Sequence, residues 1–162
     1  MQKSDYLKAL SDRLDNIARF SIWILMTVMV IVVIFGVLNR FLFKFSISWT
    51  EEVARYSLIW ITILGSGCAM KSGGHIGITL FMNRAGKLKK IFFLIGNVLI
   101  LLFLAVTVIY GIKLCISQYG QISPALRISM SYPFFGIPLG CSIMIIHLIH
   151  MTRLMLRDTV VE

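Results

Sequence analysis

Residues 20–38 run for 19 positions without a charged side chain and stop at Asn39-Arg40. At 1.5 Å per residue a helix of that length reaches roughly 28 Å, the depth of a bilayer's hydrocarbon core. Three more stretches share this character. Residues 56–70 are uncharged but short, and helical character beginning at Trp49 extends them to 22 residues, with Glu51, Glu52 and Arg55 in the opening turns. Residues 91–112 carry only Asn97 as a strongly polar interruption, and residues 132–150 contain Gly136, Pro138 and Gly140. Charged residues make up 14% of the 162-residue chain, against about 25% in soluble domains, too few to cover a water-facing surface. The composition excludes an ordinary soluble enzyme. It predicts an all-α integral membrane protein: one four-helix domain over residues 1–162, with spans near 20–40, 49–70, 91–115 and 132–150.

The net charge of +9 does not imply nucleic acid, because the cations sit at the ends of apolar runs and form no stripe on a soluble face. They suit a membrane phospholipid surface instead. Eleven of the 16 Lys and Arg residues lie in the N-terminal arm, the second connection and the C-terminal tail; Arg40, Lys44, Arg55, Lys113 and Arg127 lie in the other two connections. The positive-inside rule then places both termini in the cytoplasm. No short apolar core precedes a small-residue cleavage site at the N-terminus, so no removable signal peptide is expected. Cys68, Cys115 and Cys141 lack CxxC spacing and sit in or beside apolar runs, as buried small hydrophobes do.

In residues 4–19, Leu7, Leu10, Leu14 and Ile17 recur at helical spacing against Lys3, Asp5, Lys8, Asp12, Arg13 and Asp15. That pattern predicts a short amphipathic helix lying on the cytoplasmic membrane surface ahead of the first span. Ser48-Trp49-Thr50-Glu51 reads as a capping box, with Glu51 and Arg55 as an i,i+4 ion pair. Glu52 and Arg40 are left over. Because charge near the hydrocarbon edge is costly unless paired or wetted, Arg40 is expected to meet Glu51 or Glu52.

Gly73 and Gly74 suit a helix C-cap, and His75 beside them a polar loop contact. His147 and His150 read as interfacial side chains. Gly136 and Gly140 form a small-residue face with Pro138 between them, expected to kink the fourth span, and Gly65 with Ala69 forms a second such face; both argue for close helix packing. No Asp, Glu, Lys or Arg lies centrally in any span. Ion-coupled carriers use such intramembrane charges, so this chain is not expected to carry a solute alone. No catalytic, metal-binding or substrate-binding residue is assigned.

Taken in order, Asn39-Arg40-Phe41, Ser48-Trp49-Thr50-Glu51-Glu52-Val53-Ala54-Arg55, Trp60, Leu64-Gly65, Gly73-Gly74-His75-Ile76, Gln118, Ser123-Pro124-Ala125-Leu126 and Pro138-Leu139-Gly140 resemble one family. It is the small membrane (Q, DctQ-like) subunit of tripartite ATP-independent periplasmic (TRAP) transporters. The resemblance implies an accessory permease subunit of the bacterial inner membrane that accompanies a large elevator-type subunit. That partner would use a sodium gradient to import an organic acid, of the sialic acid or dicarboxylate class, delivered by a periplasmic binding protein. It implies no enzyme activity and no cofactor in this chain.

By position, the resemblance assigns Arg40, Trp49, Glu51, Glu52 and Arg55 to an outer span-end motif and Ser123, Pro124, Ala125 and Leu126 to an outer-loop motif. Gly65, Gly74, His75, Gln118, Gly136, Pro138 and Gly140 complete the structural or partner-facing set. One departure is Ile78-Thr79, where the family often has an acidic residue; another is the missing proline around Asn83-Arg84-Ala85. The residues leave two other classes open. A stand-alone homo-oligomeric efflux carrier would need Glu51 or Glu52 as its ionisable group, and a four-span quinone or thiol redox enzyme would, in its thiol version, need the cysteines.

Overall fold

The computed structural model of the chain describes residues 2–45, 47–72 and 89–158. They form four long helices: α1 (Gln2–Leu42), α2 (Ser48–Lys71), α3 (Lys89–Ser117) and α4 (Ser131–Asp158). Each contains a stretch long and apolar enough to cross a membrane. The helices run up and down. They lie side by side in the order α1, α2, α4, α3, with α1 also leaning on α4.

α1 differs from expectation. The amphipathic arm is not a separate helix on the membrane surface but the opening part of one 41-residue helix. No proline occurs in it, and its one glycine is Gly36, so nothing interrupts propagation between the arm and the span. At about 61 Å, α1 is twice as long as the hydrocarbon core is deep. It ends where Lys44 takes a left-handed φ of 52°, the conformation more often supplied by glycine.

The middle of the bundle is apolar. Leu104, Cys141, Met144 and Leu148 form one buried cluster between α3 and α4. Ala18, Leu64 and Cys68 form another between α1 and α2, with Trp60, Leu139 and Ile143 packed on it. Lipid tails are as apolar as these side chains, so association rests on close contact rather than on exclusion of water. Small residues make that contact possible. A Cβ at Gly140 would collide with Ile63 Cγ2, one at Gly136 would lie 3.3 Å from the Trp60 ring, and one at Gly111 would lie 3.1 Å from Pro138 Cδ. The expected packing role of Gly136 and Gly140 is therefore met inside the chain, on the α2–α4 seam. Gly65 has nothing within 4 Å of its Cβ position, so its face is not used within the chain. α4 continues as helix through Pro138.

Candidate functional site

The polar groups gather at the two ends of α2. At one end Glu52, 7% exposed, reaches the connection between α3 and α4. Its Oε2 accepts hydrogen bonds from Ser123 Oγ (2.9 Å) and the Leu126 backbone N–H (2.9 Å), and its Oε1 accepts one from the Ala125 N–H (3.1 Å). Pro124 sits exposed in the middle of this turn. The loop shapes itself around the carboxylate through its own backbone bonds: Ser123 N to Ile128 O (2.8 Å) and Met130 N to Gln121 O (2.8 Å). Gln118 begins the turn, its carbonyl accepting from the Gln121 N–H. Arg127 adopts a φ of 57° that closes the turn. Two consecutive N–H groups and a hydroxyl pointing at one carboxylate make a small anion nest, here filled from within the chain.

Three expectations fail at this end. Arg40 meets neither Glu51 nor Glu52: Glu52 is occupied by loop donors, which need no cation to satisfy a carboxylate, and Arg40 is exposed. Ser48 does not cap α2. The N-cap is Ile47, which makes no side-chain capping bond, and Thr50 Oγ1 instead donates to the Ile47 carbonyl at 2.7 Å. Glu51 and Arg55 are both exposed and form no ion pair; the three ion pairs among the described residues all lie at the other end. Arg40 and Glu51 instead line one small cleft of about 180 Å³ between α1 and α2, near Trp49, whose ring tilts against Phe35 at 6.1 Å.

At the opposite end, Lys71, the last residue of α2, reaches back onto α1. Its Nζ lies 2.8 Å from Asp12 Oδ1 and 3.2 Å from Asp15 Oδ2, and donates to the Ser11 carbonyl at 3.3 Å. Arg19 Nε adds a 3.0 Å contact to Asp15 Oδ2, and Arg19 Nη2 donates to Ser72 Oγ at 3.3 Å. Ser11, fully buried, is hydrogen-bonded to His147 Nδ1 on α4 at 2.8 Å; His147 itself is 1% exposed. One end thus joins α1, α2 and α4.

Asp12 and Asp15 precede the apolar stretch at Phe20. The Lys71 ammonium holds the Asp12 carboxyl below the usual carboxylate range. Burial works against the charge on Asp15, yet the hydrogen bonds from Arg19, Cys68 and Lys71 outweigh it and hold that carboxyl low as well.

The sequence reading missed this cluster. It assigned Asp12 and Asp15 to a solvated face and His147 to an interface, whereas Ser11, Asp15 and Ala18 are buried. Their i, i+4, i+7 spacing was the available signal. The motif residues Gly74 and His75, with Gly73, Ile78 and Thr79, lie outside the described residues. Among the described residues no three His, Cys, Asp or Glu side chains are placed to hold a metal ion.

Known proteins match this sequence. The family model described as "Tripartite ATP-independent periplasmic transporters, DctQ component" matches residues 29–158. The isethionate TRAP transporter permease protein DctMQ of Oleidesulfovibrio alaskensis is 30% identical over 104 residues, covering 62% of this chain and 16% of that relative. The C4-dicarboxylate TRAP transporter small permease protein DctQ of Rhodobacter capsulatus is 28% identical over 99 residues, 59% of this chain and 44% of the relative. A TRAP transporter small permease protein of Haemophilus influenzae, so named provisionally, is 35% identical over 60 residues, 37% of each chain. Each match spans less than half the length of the relative. With four apolar helices in place and a family model covering both its buried clasp at Glu52 and its α2–α4 seam, the chain belongs to the DctQ component of the tripartite ATP-independent periplasmic transporters.

Proposed function

We propose that the chain is the static small membrane subunit of a sodium-driven importer of a small organic acid, bracing a large elevator-type subunit and moving no solute itself. The observation that carries this reading is where the buried charge goes. Glu52 and Asp15, the buried carboxylates among the described residues, both go into holding helices and loop together, Glu52 through both oxygens and Asp15 through Oδ2. Between them α2 presents only uncharged side chains to the interior, and a carrier of anions needs ionised or ion-coordinating groups at depth. What the chain offers is rigidity at both membrane faces.

In this reading both termini and the Lys71 end are cytoplasmic, as the cation count favours, and the membrane is the bacterial inner membrane. The loop pinned by Glu52 then faces the periplasm. Arg40, Glu51 and Arg55, exposed there and without ionic partners among the described residues, are placed to meet the large subunit or a docked binding protein. Relatives named for isethionate and C4-dicarboxylates favour a small organic anion as the cargo of the assembled transporter. The sodium gradient acts on the large subunit, and this chain needs no cofactor.

The test is reconstitution. The chain should co-purify with a much larger membrane protein. Proteoliposomes containing both, with the binding protein and a sodium gradient, should take up the organic acid, whereas vesicles holding this chain alone should take up nothing. Sodium-dependent uptake by the chain alone would overturn the proposal and favour the homo-oligomeric carrier.

A further inference from the structure

Among the described residues α1 and α3 have no extensive contact, and between them lies a groove of about 830 Å³ floored by α2 and α4. Its walls are branched and aromatic, including Ile17 and Ile24 of α1, Trp60 of α2, Ile112 of α3 and Ile146 of α4; the polar exceptions are the hydroxyls of Ser21 and Ser142. Ser142 is already committed, donating to the Pro138 carbonyl at 2.7 Å.

Two arginines stand at one mouth. Along α4, Phe135, Ser142, Ile146 and Arg153 follow each other at spacings of seven, four and seven, so Arg153 continues the groove-facing stripe about two turns beyond Ile146. Along α1, Arg13, Ile17 and Ile24 follow at four and seven, which puts Arg13 beside the groove's edge. The Ser11–His147 hydrogen bond ties α1 to α4 at this level, so both arginines belong to the same end. Both are exposed, and neither is in ionic contact with a carboxylate among the described residues.

The geometry points to a phospholipid site: one acyl chain in the groove and an anionic headgroup between Arg13 and Arg153. Charge complementarity selects this occupant, since guanidinium groups take phosphate oxygens through paired N–H donors. Basic sites between transmembrane helices at one membrane face suit anionic lipid headgroups. The lining argues against a partner helix. Helices approach one another in lipid over small residues, and Gly67, Gly111, Gly136 and Gly140 are already consumed in contacts within the chain. Apart from Ala18, Ser21 and Ser142 the groove is walled by bulky side chains, which a flexible acyl chain fits better than a second backbone does.

Trp60 supplies the probe. With Trp23 and Trp49 replaced by phenylalanine, Trp60 is the sole tryptophan, because the chain has three. The full chain is reconstituted in bilayers of phosphatidylcholine and phosphatidylglycerol, with bromine carried on the acyl chains of one lipid or the other. Half-maximal quenching of Trp60 is expected at about tenfold lower mole fraction for brominated phosphatidylglycerol than for brominated phosphatidylcholine. The double substitution Arg13→Gln/Arg153→Gln, at two exposed positions, should erase that preference while leaving the unfolding temperature in place. Ser142→Leu, which fills the groove, should lower quenching by both lipids. Equal quenching by the two lipids in the parent chain would overturn the proposal, as would a preference that survives the double substitution. Absence of quenching by either lipid would show the groove closed or occupied by protein and would also overturn it.

Discussion

Replacing Glu52 by alanine should open the loop between α3 and α4 without unfolding the helices. The carboxylate accepts three hydrogen bonds, and its removal leaves the Ser123 hydroxyl (1% exposed) and the Ala125 and Leu126 N–H groups facing a space with no acceptor. A buried donor left unpaired shifts an equilibrium by on the order of tenfold. Three such donors do not add fully, because the loop relaxes and water enters, so about a hundredfold rise in the open population is expected. Arg127 in the same turn is exposed and provides a tryptic site within the segment. When opening is fast relative to cleavage, the cutting rate follows the open population. Limited trypsin digestion in detergent should therefore cut after Arg127 about a hundred times faster in Glu52→Ala than in the parent. Glu51→Ala, at the exposed neighbouring position, should leave the rate unchanged. Glu52→Gln should fall between, since the amide keeps one acceptor oxygen but turns a donor toward a donor. The thiols of Cys68, Cys115 and Cys141 are free and buried, so a thiol-reactive dye reports whether the bundle itself stays folded. Equal cleavage rates in Glu52→Ala and Glu51→Ala would refute the pinning role.

Four further outcomes are expected. Gly140→Val should destabilise the bundle strongly, because even a Cβ there meets Ile63 Cγ2; adding Ile63→Ala should recover part of the loss in a thermal unfolding series. Ser11→Ala leaves both nitrogens of the buried His147 ring unpaired and should cost about 1–3 kcal/mol, measurable as a lowered unfolding temperature. Arg40→Ala should change the stability of the isolated chain by no more than about 0.5 kcal/mol, like Lys44→Ala, and show its effect only in assembly with the large subunit. Acid should release the N-terminal part of α1. Asp12 and Asp15 have lowered folded-state pKa values, so their contribution is complete above the ordinary carboxylate range and disappears as pH falls through the lowered values. Hydrogen exchange of residues 8–19 should accelerate there, and Lys71→Met should weaken that pH dependence, leaving the part that Arg19 gives Asp15.

Four spans and the empty mid-depth were legible because both follow from runs of residue type along one strand of sequence. Runs of uncharged residues as long as a bilayer is deep have few other solutions, and Gly136 with Gly140 marked its close contact without reference to a partner. The clasps were not legible in the same way. Charge matching pairs Glu52 with a cation, yet its actual partners are backbone N–H groups of residues more than seventy positions away, and every residue except proline carries such a group. Only the folded turn at Pro124 points them one way.

At the other end, an amphipathic reading divided α1 into a wet face and a lipid face. It had no means of representing a third face that packs on Lys71 and His147. The polar identity of Asp12 and Asp15 was read correctly, but their surroundings were not. Continuity of α1 was hidden for a related reason: a change in polarity near Phe20 looks like a boundary, although the backbone has no cause to break there.

The two clasps share one rigid rod. Glu52 and Lys71 are nineteen residues apart on α2, which sets their separation at roughly 28 Å along the axis. α2 therefore acts as a gauge of bilayer thickness. It meets a thinner membrane by tilting as one body with the helices clasped to it, and a thicker membrane would have to thin around it. A neighbour docked on this chain would take its depth from these two anchored ends.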